Sequence, residues 1–290
     1  MRKERLVNVH LTFKIPAGCD AVRRHSLFAS TQPARHGHEL GYEGNNSPLD
    51  LKTDEADSMA NHSDLDILGR TELFHGMPSA MLVEIQAAGF RKKLASGEIL
   101  FQQGDSASSL FVVIAGRLRA TQTTLDGQQI IIRYLAPGET AGHTTLTRGV
   151  VHPSTVTAVD DSHLIGWSSD TIRKIMEQHS AVAMNALAVL AARYHEIQIR
   201  LLELSTEKVE QRIGHTVLRL ANQAGRRTAR GVEIAFPLSR QDLAEMAGTT
   251  LHTVSRILSR WEDLGIVDCG RRQVVLCKPH ALMAISDEQA

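Results

Sequence analysis

Cysteine is scarce in this chain. Only Cys19, Cys269 and Cys277 occur, and no C-x-x-C is formed. A disulfide framework, a Cys-rich zinc site and an iron–sulfur cluster are therefore unsupported. The low count suits a reducing cytoplasm. Long apolar runs are missing too: no stretch of about 18 apolar residues exists, which argues against a transmembrane span or a membrane partner. The N-terminus lacks a continuous apolar segment of the secretory kind. Charge of one sign is also lacking, since 32 Lys and Arg balance 32 Asp and Glu. No global field draws nucleic acid, although a neutral total can hide a basic face. Nucleophile motifs, a P-loop and metal-ligand spacings are absent. Pairs such as Asp161 and His163 lack a third partner, so the chain does not read as an enzyme.

What is present suffices for two ordinary domains: 290 residues, 42% of them apolar. Residues 1–62 stand apart. "QPARHGHELGYEGNNSPLDLKTDEADS" is rich in Gly, Asn, Ser, Pro and charge, with no sustained period. Such a stretch buries too little to offset its ordering entropy, so a disordered extension is expected. Met59 sits just before the first periodic segment. It is the expected natural start, with a functional tail as the competing reading. A short helical region follows in "GMPSAMLVEIQAAGF", where Met81, Leu82, Ile85 and Ala88 keep a helical spacing.

From about residue 91 to 168 the pattern changes. Gly97, Gly104-Asp105, Gly116, Asp126-Gly127 and Pro137-Gly138 punctuate short apolar runs. Turn signals at that spacing predict an all-β sandwich or roll, with Asp126-Gly127 as a hairpin turn. "STVTAV" and "SHLIGW" supply two further strands, and Trp167 reads as core. After Trp167 the period becomes helical. Ala183, Leu187, Leu190, Tyr194, Ile197, Leu201 and Leu204 are spaced 4, 3, 4, 3, 4, 3. That is a heptad seam over three repeats, with Arg193, Glu196, Arg200 and Glu203 expected to stay wet. It predicts a parallel homodimer helix rather than one lying on its own β domain, whose apolar stripe would be wider.

The stretch "FPLSRQDLAEMAGTTLHTVSRILSRWEDLG" reads as helix, tight turn, helix. Ser239 is a natural N-cap, Gly248 turns the chain, and Thr250 caps the second helix. Ala244, Gly248 and Val254 fall where a helix-turn-helix needs a small residue, a turn glycine and a β-branched residue. Leu243, Ala247, Val254, Ile257, Leu258 and Trp261 point inward by spacing. His252, Thr253, Ser255, Arg256 and Ser259 are left outside, and no acidic residue precedes Glu262. An ordinary solvated helix face is usually dense in Glu and Lys. Arg donates bidentately to guanine and His bonds a base edge, so this face predicts DNA reading. Next, Ile266–Asp268 and Gln273–Leu276 flank Cys269-Gly270-Arg271-Arg272, a hairpin wing with a basic tip. Arg219, Arg226, Arg227, Arg230, Arg240 and Arg260 surround the motif and suit phosphate contacts.

With these parts in order, residues 65 to 282 resemble the cyclic-AMP receptor / fumarate-nitrate regulator (Crp/Fnr) family of bacterial transcription factors. The most specific pieces are "GEILFQQGD", "LSRQDLAEMAG" and "TVSRIL". The resemblance implies an α+β fold. An antiparallel β-roll like a cyclic-nucleotide-binding domain would span residues 65–170, and a long dimerisation helix 171–206. A winged helix-turn-helix would span 207–282, with a tail at 283–290. It also implies a cytoplasmic homodimer that binds palindromic duplex DNA and works with RNA polymerase. Carried over by position, Ser239 and Gln241 would touch phosphate, while Thr250, His252, Thr253, Ser255 and Arg256 would face the major groove. Arg240, Thr249, Ser259 and Arg271 complete the expected DNA face. Leu187, Leu190, Tyr194, Ile197, Leu201 and Leu204 would form the dimer interface.

The departures are informative. Many members carry Glu where this chain has His252, so its half-site is expected to differ. Cyclic-nucleotide binders place Glu after Gly, then an Arg-Ser or Arg-Thr pair. Here His143 stands at the Glu position and Pro153, followed by Ser154, at the Arg position. A buried cyclic phosphate needs a paired cation, so weak or absent cyclic-AMP binding is expected. His143, Thr144, Ser154 and Thr155 are the candidate effector-pocket residues. The helix "GTTLHTVSRILSRWE" looks most like that of nitric-oxide-responsive denitrification regulators, which implies haem as a possible cofactor. His143, His152 and His163 lie in or near the roll, but no spacing picks out a ligand pair. The alternative reading is a cyclic-nucleotide- or small-molecule-binding regulatory module of another protein.

Overall fold

The computed structural model describes residues 63–147 and 149–287. The expected extension, its Met59 start and Cys19 lie outside the described residues. A helix at 63–70 (α1) and α2 (Ser79–Ala87) precede the β domain. Eight strands follow: β1 (Phe90–Leu94), β2 (Ile99–Phe101), β3 (Ser109–Ala115), β4 (Leu118–Thr123), β5 (Gln129–Leu135), β6 (Thr140–Ala141), β7 (Thr155–Ala158) and β8 (Ser162–Ser168). They form two antiparallel four-stranded sheets, ordered β1-β8-β3-β6 and β2-β7-β4-β5.

The continuous apolar run of β3, "SLFVVIA", shows why two cores form. A strand buried on both faces has no polar side to alternate with. Leu110, Val112 and Ile114 join Leu68, Phe74, Ile85, Trp167 and Ile172 in a core under the helices. Phe111 and Val113 face the other way, into the roll, with Leu94, Leu118, Leu135, Val156 and Leu164. Trp167 is fully buried, sits edge-on to Phe74 with centroids 5.3 Å apart, and donates its indole N–H to Ile85 O at 2.7 Å. A polar ring atom at the core is thereby satisfied. The β4–β5 hairpin turns at Asp126-Gly127 as expected, and Gly127 has φ +84°.

The expected single helix over 171–206 is two helices. α3 (Ser169–Gln178) and α4 (Ser180–Thr206) part at His179, whose φ of −128° and ψ of 85° leave the helical region. α4 carries two stripes. Val182, Ala186 and Val189 are buried on the chain's own sensor domain. The seam residues Leu187 (59% exposed), Leu190, Tyr194, Ile197, Leu201 and Leu204 lie on another face and are open. The expectation that α4 would not lie on its own domain is corrected, since one face does so while the seam stays open on another. A second correction concerns Glu203, expected wet but buried: its Oε1 accepts from Arg219 Nη1 at 2.5 Å.

The C-terminal domain begins with α5 (Val209–Ala224) and continues β9 (Gly225–Thr228), β10 (Gly231–Ile234), α6 (Arg240–Ala247), α7 (Leu251–Asp263), β11 (Val267–Gly270), β12 (Gln273–Leu276) and α8 (Pro279–Asp287). The wing is larger than expected: β11 and β12 extend through β10 to β9 in one four-stranded sheet. Cys269 and Gly270 pair in β11, so the tip narrows to Arg271 and Arg272. The expected tail is largely α8, which packs on α5 with Leu282 and Ser286 buried. The approach is close enough that a Cβ at Gly214 would overlap Ser286 Oγ. Among the described residues no helix is long and apolar enough to cross a membrane.

Candidate nucleic-acid interface

The helix-turn-helix forms as its local chemistry dictates. Ser239 Oγ accepts from Asp242 N–H at 3.0 Å, and Asp242 Oδ2 accepts from Ser239 N–H at 2.8 Å. This reciprocal capping box satisfies orphan amides at the start of α6. At the other end Gly248 takes φ +63°, a left-handed conformation that costs glycine nothing. Thr250 Oγ1 then accepts from Thr253 N–H at 3.2 Å and starts α7. Val254, Leu258 and Trp261 are fully buried and Ile257 nearly so, as their spacing predicted.

The opposite face of α7 is open. His252, Arg256 and Ser259 are exposed, while Thr253 and Ser255 are half-buried beside them. Among the described residues no hydrogen bond or ion pair holds the Arg256 side chain, and the same is true of Arg271 and Arg272 at the wing tip. Arg272 has φ +56°, which lets the two-residue turn close between Gly270 and Gln273. Gln241 is exposed on α6 and donates to Glu245 Oε1 at 3.0 Å. Thr249 and Thr250 lie at the mouth of the turn.

Two expectations need correction. The Ser239 hydroxyl donates to Asp242 Oδ2 at 2.7 Å, so it is not free to donate to phosphate. The surrounding arginines are mostly committed as well. Arg219 holds Glu203, Arg226 holds Glu233 at 2.9 Å, Arg230 holds Asp268 at 2.6 Å, Arg240 meets Glu262 at 3.5 Å, and Arg260 pairs with Glu210. Of the six, Arg227 alone has no such pair among the described residues. Around the helix-turn-helix, Arg256, Arg271, Arg272 and Arg227 are therefore the arginines without an ion pair or side-chain hydrogen bond among the described residues.

Sequence reasoning missed the groups that dock this domain onto the β-roll. Arg119 Nη1 of β4 lies 3.3 Å from Asp242 Oδ1. The Arg117 guanidinium sits 4.3 Å from the centre of the Phe236 ring and donates to Ala235 O at 3.3 Å. Tyr134 packs on Phe236 with centroids 4.6 Å apart. Gln223 Nε2 reaches Tyr134 O at 3.0 Å and Glu139 Oε2 at 2.7 Å. These partners are about a hundred residues apart in sequence; only the Ser-x-x-Asp capping spacing was locally readable.

The candidate effector residues fall into separate groups. His143 shares a 2.5 Å hydrogen bond with Thr140 Oγ1. Burial, with help from nearby Arg133 and Arg193, pushes its pKa down to about 4, so the ring is neutral. Glu139 ties this corner together, accepting from Ala136 N–H at 2.7 Å, pairing with Arg133, and lying 3.5 Å from Arg193 of α4. Thr144 bonds His152 Nδ1 at 3.2 Å, and the buried His152 ring stacks on Phe101 with centroids 3.7 Å apart. Thr155 Oγ1 accepts from Gln103 N–H at 3.0 Å, and Pro153 O accepts from Gln122 Nε2 at 3.0 Å. No hydrogen bond links Ser154 or Thr155 to the His143 group among the described residues.

Haem is poorly served by this arrangement. The His143 and His152 rings are engaged as described, and His163 points outward from β8. Surface clefts of about 330 to 620 Å³ are lined by other residues. Among the described residues, these three histidines do not fit a porphyrin. Spacing also missed a group at the α4–α5 junction, where ligand atoms of Glu203, Glu207 and His215 lie within 4.8 Å of one another. Arg219 already occupies Glu203 there.

Comparison with known proteins agrees with this geometry. Residues 91–179 match the cyclic nucleotide-binding domain family, and residues 211–285 match the Crp-like helix-turn-helix domain family. The cyclic AMP receptor protein of Thermus thermophilus is 31% identical over 199 residues, covering 68% of this chain and 88% of that protein. The transcriptional activator protein FnrA of Stutzerimonas stutzeri is 23% identical over 195 residues, covering 67% and 80%. The solved structure of FixK2 from Bradyrhizobium japonicum superposes with a TM-score of 0.62 at 24% identity, covering 70% of this chain and 99% of that one.

Proposed function

Because this chain belongs to the Crp/Fnr family of transcription regulators, we propose that it works as a cytoplasmic homodimer reading palindromic duplex DNA. One observation carries the DNA reading: α7 buries Val254, Ile257, Leu258 and Trp261 and leaves Arg256 exposed, with no hydrogen bond or ion pair among the described residues, on a helix that has no acidic residue before Glu262. The exposed heptad seam of α4 supports the dimer. Two copies joined there would offer two α7 helices to successive major grooves, about 34 Å apart. Arg256 would donate to guanine, and His252, Thr253, Ser255 and Ser259 would meet neighbouring base edges. Arg271 and Arg227 would meet phosphate, as would the amide end of α6. RNA polymerase is the expected protein partner.

We infer that the effector is not cyclic AMP. Pro153 offers a carbonyl where a phosphate would need a cation, and that carbonyl is already bonded to Gln122. Arg133 and Arg193, the cations near His143, are matched by Glu139 and Glu196. Nitric oxide sensed through haem draws no support from the engaged histidines. A regulatory module without DNA binding is the rival reading. Selection from a random-sequence duplex pool decides: enrichment of an inverted repeat is expected, and no enrichment would sink the proposal. Calorimetric titration with cyclic AMP should show no binding at micromolar concentrations.

A further inference from the structure

The contact between the β-roll and the start of α6 joins sensing to reading. Asp242 is only 7% exposed. Its Oδ2 is taken by the Ser239 N–H and hydroxyl, at 2.8 and 2.7 Å. Its Oδ1 faces one cation, Arg119 Nη1 at 3.3 Å, contributed by the other domain. The carboxylate thus sits in the first turn of α6, the helix end that the DNA reading sets against a phosphate. Left alone, its charge would oppose the anion that this helix end attracts. A buried carboxylate with its sole cation removed is also costly in itself. Arg119 gives up something to hold this place, because its Nε is buried without a hydrogen-bond partner.

We propose that Arg119 is a positioning residue for DNA binding: from the sensor domain, it neutralises Asp242 and so sets the charge at the phosphate-facing end of α6. The inference rests on the DNA reading above and adds its regulation. Arg119 is well placed to report on the roll. On β4 it lies opposite Thr157 of β7 and Tyr134 of β5. β7 begins at Thr155, directly after the loop that would close on an effector. A shift of β4 away from α6 would lengthen the Arg119–Asp242 pair and return a negative charge to the DNA face. The Tyr134–Phe236 and Arg117–Phe236 contacts keep the two surfaces in register while the pair is made.

The test uses the full chain and a duplex enriched by the wild type, followed by fluorescence anisotropy at several salt concentrations. Arg119→Gln should weaken binding about tenfold at low salt, the scale of one charge-assisted hydrogen bond. The deficit should shrink as salt rises, because it is electrostatic. Adding Asp242→Asn to Arg119→Gln should restore affinity to within about threefold of wild type, since no charge then needs a partner. Should Arg119→Gln fail to fold by circular dichroism, Arg119→Lys is the probe. It keeps the charge and should bind within about threefold of wild type. A normal affinity for Arg119→Gln, a salt-independent deficit, no rescue by Asp242→Asn, or a tenfold loss with Arg119→Lys would each overturn the proposal. A wild type that enriches no sequence would overturn the DNA reading and this inference together. A wild type that binds while Arg119→Gln is unchanged would overturn this inference alone.

Discussion

α4 and α7 are both amphipathic helices, yet they satisfy their apolar residues differently. α7 buries Val254, Ile257, Leu258 and Trp261 within its own domain and turns its polar residues out. α4 buries Val182, Ala186 and Val189 inward but leaves a second apolar row open, with Tyr194, Ile197 and Leu201 each 64% exposed. An isolated surface leucine needs no explanation, whereas a contiguous apolar row at heptad spacing marks an interaction surface. The contrast teaches that α7 covers its inward row within one chain, whereas α4 leaves a second row uncovered.

Charging the seam should break that contrast most severely. Leu190→Glu with Leu201→Glu should give a monomer in sedimentation equilibrium and lower affinity for the selected duplex by a factor of about a hundred or more. A double variant that sediments as a dimer would refute the assignment of this face. Trp261→Ala attacks the complete helix instead. Trp261 is fully buried and donates to Glu210 Oε1 at 2.8 Å. Its truncation should cost about 3–5 kcal/mol in urea unfolding. A loss below about 1 kcal/mol would mean that α7 is not packed as described.

The sensor domain offers a pH test of its own. His143 titrates near 4 in the folded chain, mainly through burial and secondarily through Arg133 and Arg193. Its unfolded value is about 6.5. Between those limits the unfolded chain binds more protons, so stability should be full above about pH 6.5 and fall as pH drops toward 4, by up to about 3 kcal/mol. His143→Gln should flatten that part of the profile, and an unchanged slope would count against a buried neutral ring. Arg256→Ala comes next. It should cost about 1–3 kcal/mol on the selected duplex and relax preference at one base pair. Equal loss on random DNA would place Arg256 on phosphate.

The legible parts of this molecule are those fixed by short-range rules. Ser239, Gly248 and Thr250 announced their caps and turn because each acts within three or four residues. The seam of α4 was readable as a period, and so was the inward row of α7. The break at His179 was not, because the residues on both sides favour helix and only backbone geometry separates them. β9 and β10 were missed because "GRRTARGVEI" is arginine-rich and shows no clear alternation. Burial of Glu203 depends on Arg219, sixteen positions away, and the docking of Asp242 on Arg119 spans 123. No local pattern contains such pairs. The same holds for the committed arginines, whose partner carboxylates are set by the tertiary fold.

The smallest effect concerns the two caps of the helix-turn-helix, and it separates stability from recognition. Thr250 Oγ1 accepts from Thr253 N–H and shares a neutral hydrogen bond with the Thr253 hydroxyl at 3.0 Å. Ser239 Oγ accepts from Asp242 N–H and also donates to the Asp242 carboxylate. Ser239→Ala, which also removes a charge-assisted bond, should therefore cost about 1–2 kcal/mol of stability, the upper part of the range for caps, and Thr250→Ala less. Because the Ser239 hydroxyl is turned inward, its removal should show in unfolding more than in DNA affinity. A tenfold loss of affinity with unchanged stability would mean that the hydroxyl leaves Asp242 when DNA binds, and that a phosphate replaces the carboxylate as its partner.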